Sequence, residues 1–258
     1  MRAVGRVLIV LMAVCSLAFA ADESGAAFER GEKAFEQGNY DEAVVRGANA
    51  LEQGDYNEAV KQFTQAIKID PSSANAYGGR GVAYFELGNH PKAIADFTQT
   101  IKIDPNHKFS GFFYYKRGWS YAELGDHSKA IADFTQAINI DPDEDKYSMR
   151  GNSYAKLGNH SKAIADYTQA IKIDPNNKYI YCSRGDSYAE LGNHSKAIAD
   201  FTQAIKINPN SAWAYGGRGN SYAKLGDYKQ ATRDARKACE LGDCELLQLL
   251  GKNRQILD

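Results

Sequence analysis

Along most of this chain, apolar and small residues fall at helical spacing and are interrupted at regular places by glycine followed by asparagine or aspartate. Tyr77, Arg80, Gly81 and Tyr84 share one face, a break follows at Gly88-Asn89, and Ala93, Phe97, Thr100 and Ile101 share another. The pattern predicts two helices, near Asn75–Glu86 and Pro91–Ile103. Gly88 can take the left-handed conformation that ends the first, Asn89 can cap the second, and Pro91 fits an opening turn where its missing N–H costs nothing.

The unit is copied. Gly192 to Pro209, GNHSKAIADFTQAIKINP, recurs with few changes as Gly158–Pro175, Gly125–Pro142 and Gly88–Pro105, and Gly47, Gly81, Gly118, Gly151, Gly185 and Gly219 set a period of about 34 residues. Small residues explain why paired helices must touch. Gly81 and Ala93, Gly118 and Ala130, Gly185 and Ala197 offer surfaces where backbones approach closely, with Tyr84 and Phe97 filling the space beside them.

Before the regular array, Glu29–Val44 and Val45–Val60 resemble each other at an offset of sixteen residues, about half a unit. Helices are expected near Ala26–Glu36, Asp41–Glu52 and Asn57–Ile69, the first an extra helix closing one end. After Gly242, Leu246, Leu247, Leu249 and Leu250 supply one amphipathic helix that caps the other. The expected organisation is an extra helix over 21–39, repeats over 40–73, 74–110, 111–143, 144–177, 178–211 and 212–242, and a capping helix over 243–258.

These residues resemble the tetratricopeptide repeat. In the unit beginning at Lys178 the matching positions are Tyr181, Gly185, Tyr188, Ala197, Phe201, Ala204 and Pro209, and the last unit departs by carrying Ala235 and no terminal proline. The resemblance implies an all-α, right-handed superhelical solenoid of antiparallel helix pairs whose first helices line an inner groove. It also implies a protein that binds other proteins. ARKACELGDCELL is locally similar to Sel1-like repeats. The lysine and asparagine set with which some family members clamp a terminal carboxylate is not reproduced, since Val44, Ala48, Asn75, Gly78 and Gly79, or Tyr115 and Trp119, stand there.

The chain departs from the family by placing arginine where leucine is usual, and an aspartate recurs just before each second-helix aromatic. The expected pairs are Arg80–Asp96, Arg117–Asp133, Arg150–Asp166, Arg184–Asp200 and Arg218–Asp234, bidentate where geometry allows. A periodic charge matched by a periodic opposite charge reads as framework, not as an anion-binding row. The first repeat has Gln62 in place of aspartate, so Arg46 is set apart.

Composition narrows the partners. With 31 basic and 32 acidic residues the net charge is -1, which offers no field for gripping nucleic acid or an anionic bilayer. Met1–Ala20, with Arg2 and Arg6, an apolar run and Ala18-Phe19-Ala20, has the pattern of a secretory signal peptide, and Val7–Phe19 is too short to span a membrane. An exported protein, periplasmic or secreted, is expected, touching a membrane only indirectly or through an uncleaved signal. Val14 before Cys15 speaks against lipoprotein processing. The remaining cysteines are Cys182, Cys239 and Cys244. The last two, five residues apart across Gly242, form either a local disulfide or two buried thiols.

No catalytic, cofactor or metal site is expected. His90, His127, His160 and His194 occupy one place in successive units, too far apart to share a metal, and Ser120, Ser153, Ser187 and Ser221 lack an activating His-Asp pair. Residues that vary between units on the first helices are the candidate ligand contacts: Phe112, Tyr115 and Trp119, Tyr179 and Trp213 at the place of Phe112, and Asn152, Asp186 and Asn220 at the place of Trp119. These aromatics either line a groove or pack between units. The reading is an exported, non-enzymatic scaffold binding an extended or helical peptide segment. A cell-envelope glycan binder is the alternative, since Trp and Tyr faces also stack on sugars, and an enzyme is the third reading, without a visible nucleophile or base.

Overall fold

The computed structural model describes the backbone of residues 27–252 and the side chains of 36–251. The signal-peptide pattern at Met1–Ala20, the start of the extra-helix segment and the last residues of the capping segment, 253–258, lie outside the described residues. Among the described residues there are thirteen helices and no strands: α1 Ala27–Glu52, α2 Tyr56–Ile69, α3 Ala74–Glu86, α4 His90–Ile103, α5 Ser110–Glu123, α6 His127–Ile140, α7 Glu144–Lys156, α8 His160–Ile173, α9 Lys178–Glu190, α10 His194–Ile207, α11 Ala212–Lys224, α12 Tyr228–Glu240 and α13 Glu245–Lys252. Consecutive helices pack as antiparallel pairs within two compact halves, one ending at Ile140 and the other starting at Asp141.

Local chemistry sets the helix boundaries. Asp55, Ser73, Asn89, Asp143, Ser211 and Asp227 each accept a hydrogen bond from the backbone N–H three residues on, satisfying a donor that a helix start leaves open. Gly88 and Gly192, at φ 70° and 72°, stand where a side chain would be strained, and each closes a first helix before the turn into its partner.

Close packing follows from glycine facing aromatic. A Cβ on Gly185 would lie 3.0 Å from the Phe201 ring, and one on Gly217, in the following repeat, 2.4 Å from it. Phe201 is therefore held between its own first helix and the next one. Phe63 sits in the same way between Gly47 and Gly79. Ala59, Ala93, Ala130, Ala163, Ala197 and Ala231 are fully buried on the second helices.

The amino-terminal end differs from the expectation. One helix, α1, runs without a break through Gly38, where the sequence predicts a turn. Had the chain turned there, Arg46 and Gly47 would occupy the places that Gln62 and Phe63 fill in α2. No ring would then fill the place that Phe63 fills in the second copy, so continuing the helix is the better solution. Gln37 donates to Asp41 across Gly38. At the other end Cys239 and Cys244 form a disulfide at the turn into α13, while Cys182 is a buried free thiol.

Candidate functional site

The arginines build the frame on which any site rests. Arg80 donates Nε and Nη2 to Asp96 at 2.8 and 2.9 Å, and Arg117–Asp133, Arg150–Asp166, Arg184–Asp200 and Arg218–Asp234 repeat this fork with distances of 2.7–2.9 Å. Arg80, Arg117, Arg184 and Arg218 also donate Nη1 to Thr64, Thr98, Thr168 and Thr202 on the preceding second helix. One guanidinium thus joins three helices. The aspartate side chains are only 4–9% exposed, so each pair is an internal staple rather than an open anion site. Arg46 pairs with Glu42 on its own helix and is exposed.

In the amino-terminal half, Phe112, Tyr115 and Trp119 lie along α5, each half-buried. Trp119 meets Phe85 of α3 edge-on at 5.5 Å and Tyr115 at 5.8 Å, and its indole N–H donates to Glu123. Tyr115 also meets Phe134, and Phe112 meets Phe113. Lys116 is the unexpected member. Its ammonium lies 4.0 Å from the Phe85 ring centre and 5.6–5.7 Å from those of Trp119 and Phe112, with Glu86 at 3.3 Å. Burial pulls Lys116 below the ordinary lysine value, and Glu86 offsets this in part. Sequence reading missed Lys116, Phe85 and Glu86. Their signal was present, since glycine, serine or methionine replaces Lys116 in the other regular repeats.

In the carboxy-terminal half, the corresponding positions open to solvent. Tyr179 on α9 is 61% exposed and Trp213 on α11 is 42% exposed. Trp213 donates its indole N–H to Asp186 at 3.0 Å, linking α9 to α11. Burial raises the Asp186 carboxyl to about 6, against the lowering effect of the Trp213 bond. Asn152 accepts from Tyr167, a buried phenol standing where every other repeat but the last has phenylalanine, and this leaves the Asn152 amide donors directed elsewhere. Asn220 is exposed two turns beyond Trp213. The face therefore offers two flat rings, a carboxylate of adjustable charge and two amides.

Nothing among the described residues groups three metal-ligating side chains, and no helix there is long and apolar enough to cross a membrane. The repeated serines are buried; Ser120, Ser153 and Ser221 donate to the carbonyl four residues back. Among the described residues Nδ1 of His127, His160 and His194 is buried without a hydrogen bond, and that of His90 meets Ser120 Oγ at 3.4 Å. These histidines are the first residues of the second helices.

Helix pairs of this length, stacked by a glycine–aromatic seam, define a class of helical repeat protein. The chain belongs to the tetratricopeptide-repeat family. Family models described as TPR repeat match residues 50–88, 151–192 and 185–226, and models described as tetratricopeptide repeat match 74–107, 112–144 and 214–241. No curated relative matches the sequence. Among solved structures, the fold is similar to YrrB, described as a TPR protein with an unusual peptide-binding site, with a TM-score of 0.66 and 21% identity over 76% of this chain and 100% of that one. It is similar also to the C-terminal part of a TPR repeat-containing protein from Cytophaga hutchinsonii, with a TM-score of 0.69 and 21% identity over 77% and 78% of the two chains. MamA gives a TM-score of 0.60 and 26% identity over 63% and 94%.

Proposed function

We propose that this protein is an exported, non-enzymatic scaffold that binds a peptide segment of another protein on the first-helix face of its carboxy-terminal half. The observation that carries this reading is the exposure of Tyr179 and Trp213 beside Asp186. Large rings left open next to a hydrogen-bonding carboxylate and amides match the composition of peptide-contact surfaces. The rings supply apolar contact, Asp186 accepts a backbone N–H or a cationic group, and Asn152 and Asn220 pair with the peptide backbone. The framework arginines and glycines hold these groups in place.

The test is retention of a partner from the exported fraction by the native chain and by Tyr179→Ala/Trp213→Ala, with peptide mapping of what is retained. Loss of a polypeptide in the variant supports the reading. Equal retention rejects it, and recovery of glycan alone replaces it with sugar binding. Export is tested separately by terminal sequencing of the secreted chain, which should begin at Ala21.

A further inference from the structure

We propose that the outer face of α12 docks an acidic peptide segment of another protein, at a site separate from the first-helix face. The second helices α4, α6, α8 and α10 are nearly copies of one another, whereas α12 reads YKQATRDARKACE. Lys229, Arg233 and Arg236 stand where α10 has Ser195, Ala199 and Thr202. The repeat frame requires none of them.

Among the described residues their charges are uncompensated. Asp234 is taken by Arg218, and Glu240 pairs with Lys237 at 2.9 Å, so both acidic residues of α12 are already engaged. Lys229, Arg233 and Arg236 are exposed and form no ion pair with any of the described residues, and they line an open depression of about 1110 Å³ together with Tyr222 and Tyr228. Three free cations on a concave surface attract an anion, and the planar guanidinium fork fits a carboxylate in bidentate fashion.

Position tells what the occupant is not. Arg236 holds the place at which Thr64, Thr98, Thr168 and Thr202 accept the arginine of the following repeat. An arginine there would repel the same arginine from a second copy, so end-to-end stacking of this chain is opposed. Lys229 and Arg236 are seven residues apart, roughly 10 Å along a helix, which is about three residues of extended chain. That span suits two or three carboxylates in a short acidic stretch. A polyphosphate strand would gain little long-range attraction from a chain of net charge -1. On α11, Tyr215 and Tyr222 border the depression, and each is two residues on from Trp213 or Asn220, hence about 200° around the helix from the first-helix face.

The test uses the full chain and fluorescein-labelled hexaglutamate at low ionic strength, read by fluorescence anisotropy. Saturable binding is expected. Arg233→Gln/Arg236→Gln should weaken it at least tenfold with an unchanged melting temperature. Lys172→Gln/Lys206→Gln, an equal charge change on exposed residues of α8 and α10, should not. Tyr179→Ala/Trp213→Ala should also bind hexaglutamate normally, which separates this site from the first-helix face. Absence of saturation, equal binding by the arginine variant, or tighter binding of hexathymidylate through the same arginines would overturn the proposal.

Discussion

The two halves carry an aromatic residue at one shared place on their first helices, Phe112 in one and Tyr179 and Trp213 in the other, and use it differently. On α5, Phe112 and Trp119 close over Lys116 and against Phe85. On α9 and α11, Tyr179 and Trp213 stay exposed. The aromatic itself does not decide the outcome; its neighbour does. Where the amino-terminal half has Phe85 and Lys116, the carboxy-terminal half has Ala189 and Gly217, too small to cover a ring. The same position therefore packs in one half and remains open in the other.

Because the frame beneath is common to both halves, Asp96→Ala and Asp200→Ala should be the most damaging changes and should cost alike. Each strands a largely buried guanidinium and should lower stability by about 3–5 kcal/mol in urea unfolding. Unequal costs would break the idea of a shared frame. Next, Trp119→Ala should cost about 2 kcal/mol through lost packing, and Trp213→Ala less than about 1 kcal/mol. Equal losses by thermal melting would erase the contrast between closed and open faces.

A smaller effect sharpens the contrast. In the folded protein burial raises Asp186 from its ordinary 3.8 to about 6, so between these values the native state binds more protons than the unfolded chain. Its contribution to stability is therefore lost as pH rises from about 4 through 6. Asp186→Asn keeps an oxygen for Trp213 and should remove this slope, gaining on the order of 1 kcal/mol on the native protein at pH 7 relative to pH 4. Parallel pH profiles of the two proteins would contradict the assignment.

Much of the fold was legible because identical local signals recur. Gly88 followed by Asn89 ends one helix and caps the next through short-range chemistry alone, and the Arg–Asp spacing repeats with it. The amino-terminal end shows where such signals run out. EQGNYDEAV at Glu36 and EQGDYNEAV at Glu52 are almost the same, yet Gly54 adopts φ 75° before a capped helix while Gly38 lies inside α1. Phe63 gives the second copy something to pack against Gly47, and the first copy has no counterpart. Gly54→Ala should thus cost about 1 kcal/mol, and Gly38→Ala should gain several tenths to about 1 kcal/mol, as thermal melting would report. The candidate contact residues could be named from their variation. Whether each was covered depended on neighbours in adjacent repeats, as with Lys116 and Phe85, and no single repeat reveals that.

Site-specific photocrosslinking in the producing cell tests the central claim most directly, with benzoylphenylalanine at position 213 in one protein and at position 119 in another. A distinct polypeptide adduct at 213 and none at 119 is the predicted result. Adducts at 119 alone, or at neither position, would contradict the account.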